Sequence, residues 1–229
     1  SMAFLPPATY QEWLPSNNRY ATRPEPAAFA ERTRTGLVTL KTLTRALNDH
    51  GVLLLAGTDA PILCTPGDCL IEELQLLSDA GLGPYGALRT ATANAGRFTT
   101  ETLRRPYRFG VVAPGMRADL VLLDSNPLQG FATLNRPVGV MVAGRWRTAV
   151  ELGAVRERLR AEIGRRHALV DRYEALLAAG GGEPLLLFLD REIAPRSDVL
   201  NVNVVIFDAL ILENDGHRDQ AIALLQHVL

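Results

Sequence analysis

Asp59 stands in Gly57-Thr58-Asp59-Ala60, directly after the apolar run Val52-Leu53-Leu54-Leu55. A short hydrophobic strand that ends in a Gly-rich Thr-Asp turn puts one carboxylate at its carboxyl end. α/β barrels carry their catalytic groups at that place. A carboxylate there can accept a proton from a reacting water or take part in binding a divalent metal. The same Thr-Asp pair is also a good turn former, its side chains closing an Asx-type turn. The four residues alone do not separate these two readings.

The other candidates have structural readings that suit them better. The histidines are His50, His167, His217 and His227. No two of them have the i, i+4 spacing of a helical zinc site. His50 reads as a solvated histidine at a helix end, where the dipole favours it. His167 follows Arg165 and Arg166 and is expected on a solvated helix face, and His217 and His227 belong to the tail. Cys64 and Cys69 enclose Thr-Pro-Gly-Asp, but a zinc knuckle needs a second ligand pair and none exists. They are expected as two reduced thiols, with a small disulfide loop as the alternative. Asp119 and Asp124 flank an apolar strand and are expected at its opposite ends, as turn and sheet-edge residues. Gly110 to Gly115 lacks the glycine pattern of a phosphate loop.

These side chains must be positioned by the elements around them. Residues 3–25, rich in Pro and polar types, read as an irregular surface segment. Phe29, Thr33, Gly36, Leu37, Leu40, Leu43 and Leu47 recur at helical spacing, which predicts a helix over about 26–48. A strand at 52–56 follows, then helices over about 70–81 and 84–95. Residues 118–124 read as a buried strand, and 138–146 as a hairpin about Ala143-Gly144. Trp146 is expected to anchor that hairpin against the next helix. Residues 150–178 form an amphipathic helix whose Arg and Glu make a solvated face. Gly180-Gly181-Gly182 is a linker signal, and the last stretch reads as a helical pair, about 198–213 and 216–228.

Composition bounds the classes. The 229 residues hold one large or two small domains, and 47% apolar with 21% charged residues argues for a folded chain. A net charge of -1 gives no electrostatic basis for nucleic acid or an anionic membrane as partner. No apolar run is long enough to span a bilayer. The compartment stays open.

The text "GVLLLAGTDAP", then "ELQLLSDAGLGPYGALRTATANAGRF", "GVVAPGMRADLVLLDSNPL" and "RPVGVMVAGRW" resembles the C-terminal half of the amidohydrolase superfamily. The branch it looks like is the imidazolonepropionase-like and prolidase-like group of metal-dependent hydrolases. The resemblance implies an α/β fold: a (β/α)8 barrel with an accessory β-sandwich. Residues 1–105 would be the end of the barrel and 106–149 a sandwich segment. An amphipathic helix over 150–179 and a helical tail over 183–229 would follow. It implies that 52–56 is the eighth barrel strand and that Asp59 is both a metal ligand and the catalytic proton acceptor. One or two Zn2+ ions and a small amide, cyclic amide or dipeptide substrate come with that reading. The family's His-x-His pair and its middle-strand ligands have no counterpart here. The chain is therefore expected to be a C-terminal portion, inactive alone, with a missing N-terminal half or a second copy as partner. The tail "HRDQAIALL" resembles a tetratricopeptide-type helix. This supports the alternative function, a non-catalytic helical interaction module.

Overall fold

The computed structural model describes residues 2–18, 26–60, 67–106, 108–196 and 198–226. The chain divides into two compact units, one of residues 27–156 and one of residues 1–26 with 157–229.

The central unit begins with α2 (Pro26–Asp49), which follows α1 (Pro7–Trp13) of the other unit. The predicted apolar stripe of α2 is present but stays largely uncovered, with Leu37, Leu40 and Leu43 all exposed. Gly51, at φ 74°, turns the chain out of α2. Residues 52–59 then run without regular structure. The expected strand 52–56 is corrected on this point. A strand needs a partner's ladder, and among the described residues this segment has none. The (β/α)8 barrel is accordingly not formed by the described residues.

Helices α3 (Asp68–Leu77) and α4 (Gly83–Ala91) follow, separated by a π-helical turn whose Gly81 adopts φ 111°. This left-handed conformation suits glycine and breaks the helical run that α3 and the π-turn make together, at the residue the sequence predicts. The predicted helix over 84–95 is broken. Thr92, at φ -127° and ψ -94°, separates α4 from α5 (Ala93–Arg97). Leu74, Ala87 and Phe131 form the small core of this unit, with Ile71, Leu77, Leu88 and Leu134 against it. Two glycines fix how the next loop lies. A Cβ on Gly96 would sit 2.0 Å from the Phe109 carbonyl oxygen, and one on Gly110 2.4 Å from that of Thr92.

The sheet is three-stranded and antiparallel, in the order β1 (Leu120–Leu122), β2 (Gly139–Val142), β3 (Arg145–Thr148). Ala143 and Gly144 join β2 to β3 with φ 48° and 79°, the positive pair that a two-residue hairpin requires. Asp119 serves this turn: Oδ1 accepts from the Ala143 N–H at 2.7 Å, and Oδ2 pairs with Arg117 at 2.9 Å. The Trp146 ring lies over Gly139, where a Cβ would stand 2.1 Å from it. The partner of Trp146 is thus within the hairpin.

The second unit is helical. It takes α6 (Ala149–Ala178) from residue 157 onward, with α7 (Glu183–Phe188), α8 (Val202–Asn214) and α9 (Arg218–Gln226). Val170, Tyr173, Phe188, Leu189, Val205 and Leu224 are among its fully enclosed side chains. The glycine triplet is a built turn and not a linker, a further correction. All three glycines have positive φ, Gly181 N–H closes on Leu176 O at 3.0 Å, and Gly182 N–H donates to Gln220 Oε1 at 3.0 Å. Asn201 caps α8 by accepting from the Asn203 and Val204 N–H groups at 3.0 and 3.3 Å.

The N-terminal stretch is also corrected. Residues 7–13 are helical, begun by Pro7 at a position where a proline's missing N–H costs nothing. Gln11 is fully buried: Nε2 donates to Glu174 at 2.8 Å, while Oε1 accepts from the Asn201 N–H at 2.7 Å. Tyr10 stacks on His167 with ring centroids 3.9 Å apart and donates its hydroxyl to Asp171 at 2.8 Å. His167 is therefore buried, not solvated. Its Nε2 donates to the Leu5 carbonyl at 2.8 Å. The polar residues of the N-terminal stretch are its means of docking, which a surface reading of composition misses.

Candidate functional site

Asp59 is carried by the unladdered segment, so its position depends on tertiary hydrogen bonds. Asn94 Nδ2, in α5, donates to the Leu54 carbonyl at 2.9 Å. The Ala56 N–H donates to the Thr90 carbonyl at 3.4 Å, and the Gly57 N–H to Glu73 Oε1, in α3, at 3.4 Å. Thr90 is itself buried and bonded to Ala87 O at 2.6 Å. Three helices thus hold residues 54–57 in place of neighbouring strands. Glu73, Thr90 and Asn94 were not candidates from sequence. Each occupies a helical position of ordinary polarity, and only the tertiary fold brings it to the segment.

At the turn, Thr58 Oγ1 accepts from the Ala60 N–H at 3.4 Å. Asp59 is exposed and has φ 51°. Aspartate is one of the few residues that visits this left-handed region readily. The bond at this turn is thus the Thr58 hydroxyl's and not an Asx bond of Asp59, whose carboxylate is exposed.

A catalytic zinc needs about three protein ligands and a structural one about four. Among the described residues, no group of three or more His, Cys, Asp and Glu side chains is placed to hold a metal ion. His50 and His217 are exposed, and His167 is committed to Leu5 and Tyr10. Cys64 and His227 lie outside the described residues. Cys69 is buried and disulfide-bonded, which corrects the expectation of a reduced thiol and removes it as a ligand. The donor set around Asp59 does not by itself fit a zinc centre.

Asp124 is likewise engaged in structure. Its Oδ1 accepts from Ser125 Oγ at 3.0 Å and from Thr133 Oγ1 at 3.3 Å. Among the described residues, a carboxyl of the helical unit is strongly perturbed. Burial pushes Asp208 up to about 6, opposed by the hydrogen bond that Tyr173 donates at 2.8 Å and reinforced by the charge of Glu174. The Tyr173 hydroxyl is raised in turn, by burial first and then by Asp208. This enclosed pair is part of the bundle core and offers no access to a substrate. Among the described residues no helix is long and apolar enough to cross a membrane.

Residues 35–147 match the sequence model of the amidohydrolase family. No curated protein and no solved structure matches the chain. The matched stretch runs from Thr35 in α2, through the Asp59 turn and helices α3 to α5, to Arg147 in β3. It covers the positions that the motif order singles out. By that match, the segment built around Asp59 is similar to the amidohydrolase family.

Proposed function

We propose that this chain contributes the Asp59 turn of a zinc-dependent hydrolase that cleaves C–N bonds in small amides, cyclic amides or dipeptides. The observation that carries the reading is the family match across Asp59. The support from three helices for residues 54–57 adds to it, because a proton-handling group must be held in place. In this reading Asp59 accepts a proton from the attacking water and returns it to the leaving nitrogen. A bound metal would supply acidification of that water. The described residues do not complete a metal centre, so the remaining ligands are assigned to a separate N-terminal half. In protein assembled with those ligands, Asp59→Asn should abolish turnover while lowering zinc content only in part. Unchanged kinetics would contradict the role.

A second reading, a helical interaction module, is favoured by one observation. Helix α8 is apolar on nearly every side, and Phe207, Leu210 and Ile211 remain exposed at helical spacing. Robust turnover by the assembled protein would exclude a purely non-catalytic role.

A further inference from the structure

The central unit holds a second feature near the Asp59 segment. A cavity of about 240 Å³ opens between the Gly51–Leu54 backbone and helices α4 and α5. Its charged lining consists of Arg89 and Arg97, and neither Asp nor Glu lines it. Arg89 has no carboxylate partner among the described residues, lying instead 6.0 Å from the Tyr85 ring centroid. Arg97 spends its Nε on Glu101 at 2.8 Å, which leaves its terminal nitrogens unspent. Asn94 gives one amide hydrogen to Leu54 and keeps the other. The Leu53 and Leu54 N–H groups make no hydrogen bond among the described residues.

A cavity with two guanidinium groups, spare N–H donors and no acid in its lining carries positive charge that no lining carboxylate offsets. Guanidinium forks match the oxygens of phosphate and carboxylate in geometry as well as charge. A wall of one sign raises the local concentration of the opposite ion. The volume lies below the roughly 300 Å³ at which drug-sized sites begin, so it favours a phosphate-sized group over a nucleotide. We propose that the cavity formed by Arg89, Arg97, Asn94 and the Gly51–Leu54 backbone is a binding site for a small oxyanion, a phosphate either free or as a simple monoester. Because Asn94 also holds Leu54, a bound anion would brace the segment that carries Asp59. The site is independent of the hydrolase reading and needs no metal.

The test is thermal unfolding of the full chain at constant ionic strength, titrated with inorganic phosphate and separately with phenyl phosphate against chloride. A saturable rise in melting temperature with either anion supports the site. Saturation by phosphate alone identifies the free ion, and saturation by both identifies a site that also accepts the ester. Arg89→Gln and Arg97→Gln should each shift the midpoint by roughly tenfold or more to higher concentration. Arg89 is exposed, so Arg89→Gln should unfold near the parent temperature without anion, which keeps the comparison valid. A rise that never saturates, or one identical in both arginine variants, would overturn the proposal.

Discussion

The Asn94 side chain donates to the Leu54 carbonyl at 2.9 Å across forty residues of sequence, and so ties α5 to the chain that leads into Asp59. Strands normally hold such a segment on both sides, whereas here a few side-chain and main-chain bonds to helices do so. Asn94→Ala should therefore cost about 1 kcal/mol, measured by chemical denaturation. No loss of stability would show that the bond does not hold the segment.

Gln11 makes an equally specific link in the helical unit, since it joins Glu174 and the Asn201 N–H from a fully buried position. Gln11→Leu leaves the Asn201 N–H without its acceptor. The expected cost is about 1–3 kcal/mol, again by denaturation. A neutral result would mean that residues 2–18 contribute little to this unit.

Asp208 gives the helical unit a pH dependence of definite sign. Its carboxyl is raised from 3.8 to about 6, chiefly by burial. The folded state therefore holds the proton more tightly than the unfolded state. The stabilisation is complete below the ordinary carboxylate value and is lost as pH rises through about 6. The loss amounts to about 3 kcal/mol. Asp208→Asn keeps an acceptor for Tyr173 and removes the charge. It should leave stability near pH 4 little changed, raise it at pH 8 and flatten the slope between. An unaltered pH profile in the variant would refute the assignment.

Gly96→Ala sets two effects against each other. Alanine favours a helix over glycine by about 1 kcal/mol, but its Cβ would meet the Phe109 carbonyl oxygen at 2.0 Å. Backbone oxygen cannot swing aside as a flexible side chain can, so overpacking of about 1–3 kcal/mol prevails. The variant should melt below the parent. A higher melting temperature would show that the loop at Phe109 moves freely.

Local signals were legible in the sequence where a residue's own type dictates its geometry. Gly81 breaks a helical run, Ala143-Gly144 turns the hairpin, and residues 150–178 belong to one long helix. The segment 52–56 has the composition of a strand but lacks the ladder, because β structure depends on partners that composition does not reveal. His167 beside two arginines looks solvated, yet Tyr10 and Leu5 cover it from a stretch more than 150 residues earlier in the chain. Asp59 stands out as a candidate through its neighbours in sequence. Glu73, Thr90 and Asn94, which hold its segment, do not, because their role exists only in three dimensions.

We propose that Asp59 is one metal-site carboxylate of a hydrolase whose centre this chain does not complete by itself. The most direct measurement is zinc per chain, by elemental mass spectrometry, on the purified 229-residue protein after equilibration with zinc and desalting. Far less than one ion per chain is expected, with no change in Asp59→Asn. One or two tightly held zinc ions that disappear in Asp59→Asn would contradict it.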